Sequence, residues 1–189
     1  MSSDAKQPLA LAREVAERFY NLFPSDSFVR WTVAGSIRRK VPQAGDIEFV
    51  VIPQFAERDV RQEGEMFAEM RVVNDVWHRL DGLVATGKVK RATYPDGRQR
   101  WGEKARGVEF NGFKIEIYSA TPDNWGNILA IRTGPDSYSK MLVTNMKRTG
   151  RKQKDGFAYD EHDHLQPCPE EEDFFSMCRV RWTDPTRRK

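Results

Sequence analysis

The chain has 189 residues, of which 39% are hydrophobic and 31% are charged, and its formal net charge at pH 7 is +3. This length supports one core, or one core with a small satellite, and excludes two full-sized domains. The sequence has no apolar run near the roughly 20 residues of a membrane helix and no signal-peptide pattern, and its two cysteines exclude a disulfide framework. We expect a soluble intracellular protein of the cytoplasm or nucleoid, or one of viral origin, that binds no membrane.

The first part of the chain predicts alternating helices and strands. Apolar residues at three-to-four spacing predict an amphipathic helix over residues 9–23. Strand-like runs follow at residues 28–34 and 47–52, and we expect the first helix to pack on the sheet that they form. A second helical stripe that ends at Gly82 is predicted from Met66, Met70, Val73, Trp77 and Leu80.

Two turn motifs predict hairpins. The sequence Tyr94-Pro-Asp-Gly97 separates the segments 88–93 and 99–101, and it combines a proline that fixes φ with a glycine that accepts positive φ. Asn111-Gly112, the strongest two-residue hairpin signal in the chain, separates two further β-prone segments. We therefore expect two consecutive hairpins before residue 119.

After Tyr118 the pattern changes from strands to helices. Helix starts are predicted where a proline is combined with acidic residues of the first turn, at Thr121-Pro122-Asp123, at Gly134-Pro135-Asp136 and at Pro169. We place a boundary near residue 120, between an α/β part and a smaller, mostly helical part.

Three acidic residues are candidates for a metal site. Asp46 and Glu48 lie two residues apart in a strand-like run, so the period of a strand directs both carboxylates to one face. Glu116 lies between Ile115 and Ile117, which would enter the core on the opposite side. Such oxygen ligands suit Mg²⁺, and two ions about 3.5–4 Å apart can clamp the attacking and leaving oxygens of a phosphoryl displacement. Taken alone, the Asp46 and Glu48 pair is more typical of an ion-paired, solvated strand face.

Candidate phosphate ligands lie shortly before this acidic pair. Gly35 allows close approach of the backbone, and the Ser36 hydroxyl and nearby backbone N–H groups can bind phosphate oxygens. Arg38 and Arg39 supply planar, charged donors. Phosphate donors beside a carboxylate metal site are what nucleotidyl transfer requires.

Basic residues are concentrated in the segments 88–106, 147–154 and 179–189. Positive segments separated by acidic ones suit a protein that neutralises phosphates on one face. Each segment taken alone is also typical of a solvated loop. The residues that we expect to contact DNA phosphates are Lys88, Lys90, Arg98, Arg100, Lys104 and Arg106.

Residues 33–48 contain Gly-Ser-Ile-Arg-Arg followed by Gly-Asp-Ile-Glu. This pattern resembles the Gly-Ser-x-Arg-Arg and Gly-Asp-x-Asp/Glu signature of family X DNA polymerases. Residues 113–118 resemble the strand that carries the third catalytic carboxylate of that family, and residues 125–140 resemble its helix and Thr-Gly nucleotide-contacting segment. Residues 170–175 resemble its C-terminal acidic-aromatic helix, so the resemblance spans residues 9–185.

The resemblance implies an α+β fold. Residues 1–119 would form a nucleotidyltransferase palm, a mixed β-sheet with helices on one face, and residues 120–189 a small, mainly helical subdomain that binds nucleotide and DNA. Asp46 and Glu48 would bridge two Mg²⁺ ions, or Mn²⁺ in their place, and Glu116 would complete the catalytic metal site and help activate the primer 3′-hydroxyl. The residues implied to contact the incoming nucleotide are Gly35, Ser36, Arg39, Gly45, Thr133, Gly134 and Asp136.

Some positions depart from the family pattern. Ile131 and Arg132 stand where members carry two aromatic residues, Pro135 stands for a serine, and Ser139 stands for an asparagine that contacts the base. Glutamates at 48 and 116 replace the more familiar aspartates, which lengthens each arm by one methylene and keeps the ligand type. The departures therefore concentrate on the side of the site that would select the nucleotide.

The activity implied by the resemblance is DNA-directed. A monomer would add dNMP from a dNTP to the 3′-hydroxyl of a primer-template or of gapped DNA, as in short-gap filling during DNA repair, by two-metal-ion catalysis. A template-independent nucleotidyltransferase acting on RNA, protein or a small molecule would use the same carboxylates and is an alternative. A non-catalytic nucleic-acid-binding module is a second alternative, although three intact carboxylates argue against lost activity.

Overall fold

A computed structural model describes residues 6–60 and 69–189, and it has a mixed α+β architecture. The helices are α1 (Leu9–Tyr20), α2 (Gly35–Arg38), α3 (Asp75–Ala85), α4 (Trp125–Thr133), α5 (Asp136–Arg148) and α6 (Glu171–Met177). The strands are β1 (Gln7–Pro8), β2 (Phe28–Val33), β3 (Gln43–Ala44), β4 (Asp46–Pro53), β5 (Phe55–Val60), β6 (Glu69–Asn74), β7 (Lys90–Arg91), β8 (Ala105–Phe110), β9 (Phe113–Ser119), β10 (Lys152–Lys154), β11 (Phe157–Tyr159) and β12 (Leu165–Gln166). None of the described helices is long and apolar enough to cross a membrane.

A five-stranded mixed sheet forms the centre of the described chain. Its strand order is β2-β4-β9-β8-β7, and β4 and β9 are parallel while the other neighbouring strands are antiparallel. The prediction of an α+β fold with a mixed sheet is confirmed, as are the two strands predicted at residues 28–34 and 47–52. The Val- and Ile-rich β4 is buried over most of its length, which explains its strong β-pattern.

One face of the sheet is covered by α1 and α3. The main hydrophobic core joins Val15 and Phe19 of α1 and Leu80 of α3 to the alternate residues Ile47 of β4 and Ile115 of β9. Because side chains alternate along a strand, the residues that flank Ile47 in β4 and Ile115 in β9 point to the opposite face. That opposite face carries the acidic residues of both strands.

The opposite face is partly covered by the second half of the chain. Trp125 and Leu129 of α4 pack against Val50 and Ile52 at the end of β4. A further core cluster joins α4, α5 and α6, with Leu142 and the α6 phenylalanines fully buried. This half also contains a three-stranded antiparallel sheet, β10-β11-β12, which the prediction of a mainly helical part missed. The boundary near residue 120 stays a prediction.

The prediction of a second helix is wrong for the described residues before Asp75. Met70 and Val73 lie in β6, which pairs with β5 in a separate two-stranded ribbon, and Met66 lies outside the described residues. The helix begins only at Asp75, because the Asn74 side chain accepts a hydrogen bond from the backbone N–H of Trp77 and so caps it. It also continues past Gly82 to Ala85.

The two turn motifs behave as predicted. Asn111 and Gly112 have φ angles of 46° and 80° and join β8 to β9 in a two-residue hairpin. At the other motif, the Gly97 N–H donates to the Tyr94 carbonyl at 2.8 Å, and Thr93 bridges Gln99. The segment before this second turn also pairs with β8 through β7.

The predicted helix starts need two corrections. Helix α4 begins at Trp125, and its N-cap is Asn124 rather than Thr121. The Asn124 side-chain oxygen accepts hydrogen bonds from the Thr121 N–H and hydroxyl, which close the turn before the helix. Pro135 is the N-cap of α5 and not its first helical residue. The acidic start of α6 is confirmed, and Glu170 and Asp173 form a capping box.

Candidate active site

Strand register brings the three candidate carboxylates together. Asp46 lies opposite Lys114 and Glu48 lies opposite Glu116 on the parallel neighbours β4 and β9. Partners in a parallel register point to the same face, so all four side chains lie on the face opposite the α1 and α3 core. Glu116 is buried, and Asp46 and Glu48 are partly buried.

At both carboxylates of β4, burial and mutual repulsion outweigh the neighbouring cations. Burial and the neighbouring Glu116 raise the pKa of Asp46. Burial, followed by Asp46 and Glu116, raises the pKa of Glu48 to about 8. Such mutual repulsion favours either a proton or a cation, and a set of carboxylate oxygens suits Mg²⁺ or Mn²⁺. Asp46, Glu48 and Glu116 therefore supply, on one face of the sheet, the ligand type that a divalent cation prefers.

Gly35 is packed against one of these acids. Its φ is +56°, and a Cβ added at this position would overlap the Glu48 carboxylate. The preceding Ala34 N–H donates to the Glu48 carbonyl at 2.7 Å, which fixes the start of α2 beside β4. Glycine is therefore required at residue 35 by both the backbone angle and the close approach.

A cavity of about 640 Å³ adjoins Asp46 on the α2 side. Its polar lining consists of Lys6, Ser36, Arg39, Gln43, Asp46 and Lys114, and Gly45 also borders it. The Ser36 Oγ is buried without a hydrogen-bond partner among the described residues. Burial, opposed by Glu48 and Asp46, lowers the pKa of Arg39. Cationic groups and an unused hydroxyl beside a carboxylate pair suit the phosphates of a nucleotide.

Arg38 and Arg39 connect α2 to the end of α4. Arg38 donates to the Thr133 hydroxyl at 2.6 Å, and Arg39 donates to the Thr133 carbonyl. A Cβ on Gly134 would lie 2.9 Å from Arg39. The predicted nucleotide contacts Thr133 and Gly134 thus adjoin the phosphate-side arginines, but Thr133 is fully buried. Asp136 is exposed and pairs with Lys140.

Glu171 of α6 anchors the other side of Arg38. Arg38 donates to both Glu171 oxygens, at 2.7 and 3.0 Å, and Arg188 donates to Oε1 at 2.8 Å. Trp182 Nε1 also donates to Oε2 at 2.9 Å. Burial opposes ionisation of this carboxyl, but the hydrogen bonds from Arg188 and Arg38 lower its pKa to about 2. The acidic run at 170–173 gave no sequence signal that singled out Glu171.

Glu116 is held by a cage of donors, which we call the Glu116 cage and which consists of Tyr94, Arg100 and Tyr118. The two tyrosine hydroxyls donate to opposite oxygens of the carboxylate, and Arg100 donates to Oε2 at 2.9 Å. Burial opposes ionisation, but the hydrogen bonds from Tyr118 and Tyr94 lower the pKa of Glu116. Burial raises the pKa of both tyrosines, and so does Glu116. The cage brings together side chains that the motif pattern did not connect.

A second cavity, of about 580 Å³, lies beyond the Glu116 cage. Arg132 lies over the Tyr118 ring, with its guanidinium carbon 3.8 Å from the ring centroid, and donates to the Tyr118 hydroxyl at 3.2 Å. The lining combines cationic, amide and apolar side chains, including Arg100, Lys104, Ile128, Ile131, Arg132 and Gln153. Two of the residues that depart from the family pattern, Ile131 and Arg132, therefore border this cavity.

The residues predicted to contact DNA occupy different environments. Lys88 and Lys90 are exposed. Arg98 pairs with Asp96 at 2.6 Å, and Lys104 pairs with Asp155 at 2.6 Å, both on the surface. Arg100 belongs to the Glu116 cage.

The prediction for Arg106 is corrected by its burial. Arg106 is 7% exposed, pairs with Asp81 at 2.8 Å, and lies against the rings of Trp77 and Trp101. Its guanidinium therefore stabilises the packing of α3 on the sheet and does not face an external phosphate. The alternation of β8 at Arg106 and Val108 could have indicated this inward position, since both enter the buried side.

Sequence reasoning missed several polar residues of the site. Lys114, Tyr94 and Tyr118 border the carboxylates, and Lys6 borders the cavity beside Asp46. Lys114 and Tyr118 share the two-residue period of Glu116, which is a signal that could have identified them. Across residues 6–60 and 69–189, no group of three His, Cys, Asp or Glu side chains is arranged as a metal-binding set.

No protein-family model matches the chain, and no curated protein matches it.

Proposed function

We propose that the chain is a metal-dependent nucleotidyltransferase with a palm of the family X DNA polymerase type, which adds dNMP to a DNA 3′-hydroxyl. The observation that supports this most strongly is the register of β4 and β9. It sets Asp46, Glu48 and Glu116 on one sheet face, beside the cavity that Ser36 and Arg39 border.

The residues divide into a metal side and a phosphate side. Asp46, Glu48 and Glu116 would hold Mg²⁺ or Mn²⁺, which when bound would neutralise charge on the attacking and leaving oxygens. Ser36 and Arg39 would bind the nucleotide phosphates, and Lys114 would add charge at the same cavity. Positioning and electrostatics would then account for most of the rate enhancement.

The second cavity is the candidate site for the sugar and base. Ile131 contributes apolar surface, Gln153 contributes an amide, and Arg132 contributes a positive charge beside the carboxylates. The family carries aromatic residues at 131 and 132, so we expect nucleotide selection here to differ from that of the family.

One observation favours the template-independent alternative. Arg98 and Lys104 pair with surface carboxylates, Arg100 pairs with Glu116, and Arg106 is buried, so the predicted DNA surface is weaker than the sequence indicated. A template-independent transferase acting on a smaller acceptor would need less of this surface.

An extension assay separates these functions. Labelled deoxynucleotides and Mg²⁺ are supplied with gapped, nicked or single-stranded DNA, and we expect templated incorporation that is greatest at gaps. Asp46→Ala and Glu116→Ala should lower incorporation by more than about a hundredfold. Glu109→Ala, which removes an exposed carboxylate from β8, is the matched control and should retain activity.

Two results would count against the proposal. Activity that survives Asp46→Ala or Glu116→Ala would refute the carboxylate assignment. Incorporation that ignores the template would refute the DNA-directed form and favour the template-independent alternative.

A further inference from the structure

The Glu116 cage uses both oxygens of the carboxylate. The Tyr94 hydroxyl donates to Oε1, while Oε2 accepts from the Tyr118 hydroxyl and from Arg100. Each hydrogen bond occupies lone-pair capacity that a cation would otherwise use. The cage thus uses three of the roughly four lone-pair sites of the carboxylate. A cation that binds through Oε1 competes with the Tyr94 hydroxyl, which is the only cage contact of that oxygen among the described residues.

Gly107 gives the Tyr94 hydroxyl access to the carboxylate. It is the register partner of Glu116 on β8, and a Cβ at this position would lie 2.7 Å from the Tyr94 hydroxyl oxygen. The Gly107 N–H also donates to the Arg100 carbonyl at 2.9 Å. The missing side chain and the backbone N–H of one residue thus both support the cage.

Tyr94 and Arg100 lie on a short surface hairpin. Its turn is closed by hydrogen bonds between Tyr94 and Arg98 at 2.9 Å and between Gly97 and Tyr94 at 2.8 Å. Residues 95–99 are exposed. A hairpin with few buried contacts opens at a low free-energy cost, so the two donors can withdraw while the central sheet stays folded.

We propose that Tyr94 and Arg100 form a lock on Glu116, which a divalent cation must open by displacing the Tyr94 hydroxyl. The inference rests on the proposed function, because it takes Glu116 as a metal ligand. Tyr94 and Arg100 are positioning residues here, since they act through Glu116. Until the cation binds, Arg100 compensates the charge of Glu116 and the Tyr94 hydroxyl donates a hydrogen bond to it. These contacts lower the affinity of the resting protein for the cation.

The first test is Mn²⁺ binding to the full chain without substrate. Tyr94→Phe removes the hydroxyl and keeps the ring and the net charge. We expect Mn²⁺ to bind this variant about three- to tenfold more tightly than the wild type, measured by the electron paramagnetic resonance of free Mn²⁺. Tyr159→Phe, in the separate three-stranded sheet, is the matched control and should leave the affinity unchanged.

The second test displaces the hydroxyl without removing it. Gly107→Ala introduces a Cβ into the space of the Tyr94 hydroxyl, and the far end of that side chain can move away. This variant should also bind Mn²⁺ more tightly, and it provides an independent result if Tyr94→Phe does not fold. Asp46→Ala identifies the site, because it should abolish the binding in every background.

The outcomes separate the lock from the proposed function. Equal or weaker Mn²⁺ affinity in Tyr94→Phe and Gly107→Ala, with binding still lost in Asp46→Ala, would overturn the lock alone. Mn²⁺ binding that Asp46→Ala leaves intact, or no Mn²⁺ binding by the wild type, would overturn both.

Discussion

Glu48 is partly buried and Glu171 is buried, and their surroundings shift the pKa of the carboxyl group in opposite directions. Glu171 accepts hydrogen bonds from Arg38, Arg188 and Trp182, and its pKa falls to about 2. Burial, together with Asp46 and Glu116, raises the pKa of Glu48 to about 8, although Arg132 and Arg39 oppose the shift. The charge of Glu171 is compensated within the fold, whereas that of Glu48 is compensated only in part.

This contrast distinguishes Glu171, which has a structural role, from Glu48, which is a candidate ligand. Glu116 combines both features, since the Glu116 cage compensates its charge while it lies opposite Glu48. A compensated buried charge holds elements together, here α2, α6 and the C-terminal segment around Arg188. An uncompensated one destabilises the free protein and marks a place where a ligand would bind. Substitutions at the two glutamates should therefore act in opposite directions on stability.

Glu171→Gln should have the largest effect. It leaves the buried Arg188 without its charged partner, and we expect the free energy of unfolding to fall by about 3–5 kcal/mol. Urea denaturation at neutral pH measures this change. Glu172→Gln, at an exposed position of the same helix, is the control and should change stability by less than about 0.5 kcal/mol. Equal effects of the two substitutions would show that the charge of Glu171 does not stabilise the fold through its buried partner Arg188.

The two glutamates should also give opposite pH dependences. Because the pKa of Glu48 rises from 4.5 to about 8, the folded state keeps a proton that the unfolded state releases, so stability falls as pH rises through this range. For Glu171 the pKa falls from 4.5 to about 2, so its contribution is lost as pH decreases from 4.5 towards 2.

Glu48→Gln should remove the first of these slopes. Without divalent cations, we expect the variant to be more stable than the wild type near pH 8 and similar to it near pH 4.5. Denaturation midpoints in a chelating buffer across this range provide the measurement. A variant less stable than the wild type near pH 8 would show that the neighbouring cations, Arg132 and Arg39, compensate the charge of Glu48.

Gly35→Ala should have an intermediate effect. The backbone at residue 35 has a φ of +56°, and the new methyl would also push against Glu48. We expect a loss of about 1–2 kcal/mol in the free energy of unfolding, measured by urea denaturation. Gly102→Ala, where an added Cβ meets open space, is the matched control. An equal loss at both positions would mean that the Gly35 contact has no special role.

Lys104→Ala should have the smallest effect on stability. Lys104 and Asp155 form an exposed pair at 2.6 Å, so its removal should leave the free energy of unfolding close to that of the wild type. If DNA displaces Asp155 from Lys104, the substitution should also lower the salt slope of DNA binding by about one. Fluorescence anisotropy with labelled gapped DNA measures this slope, and an unchanged slope would remove Lys104 from the DNA surface.

Local sequence patterns predicted the elements that hold the candidate site. The alternating core residues Ile47, Phe49 and Val51 are enough to define β4, and Asn111-Gly112 defines the β8–β9 hairpin. Together they set the spacing of Asp46, Glu48 and Glu116. The stripe through Met70 and Val73 failed because spacing alone does not distinguish a helix from a strand over a short apolar segment.

Long-range partners could not be predicted in this way. Tyr94 and Arg100 reach Glu116 because the segment between β7 and β8 returns to the sheet face that carries this residue, and local periodicity carries no information about that contact. Arg188 and Glu171 are likewise joined by a chain reversal after α6. Burial also changed the role expected of Arg106, since its charge alone indicated a surface position.

The pKa of Glu48 with and without Mg²⁺ tests the central claim most directly. The carboxyl resonance of Glu48, assigned with Glu48→Gln, can be followed by ¹³C nuclear magnetic resonance through a pH titration. We predict a pKa of about 8 without Mg²⁺ and a fall below the ordinary value of 4.5 when Mg²⁺ is saturating. A pKa of Glu48 that Mg²⁺ does not change would contradict the assignment of this carboxylate to a metal site.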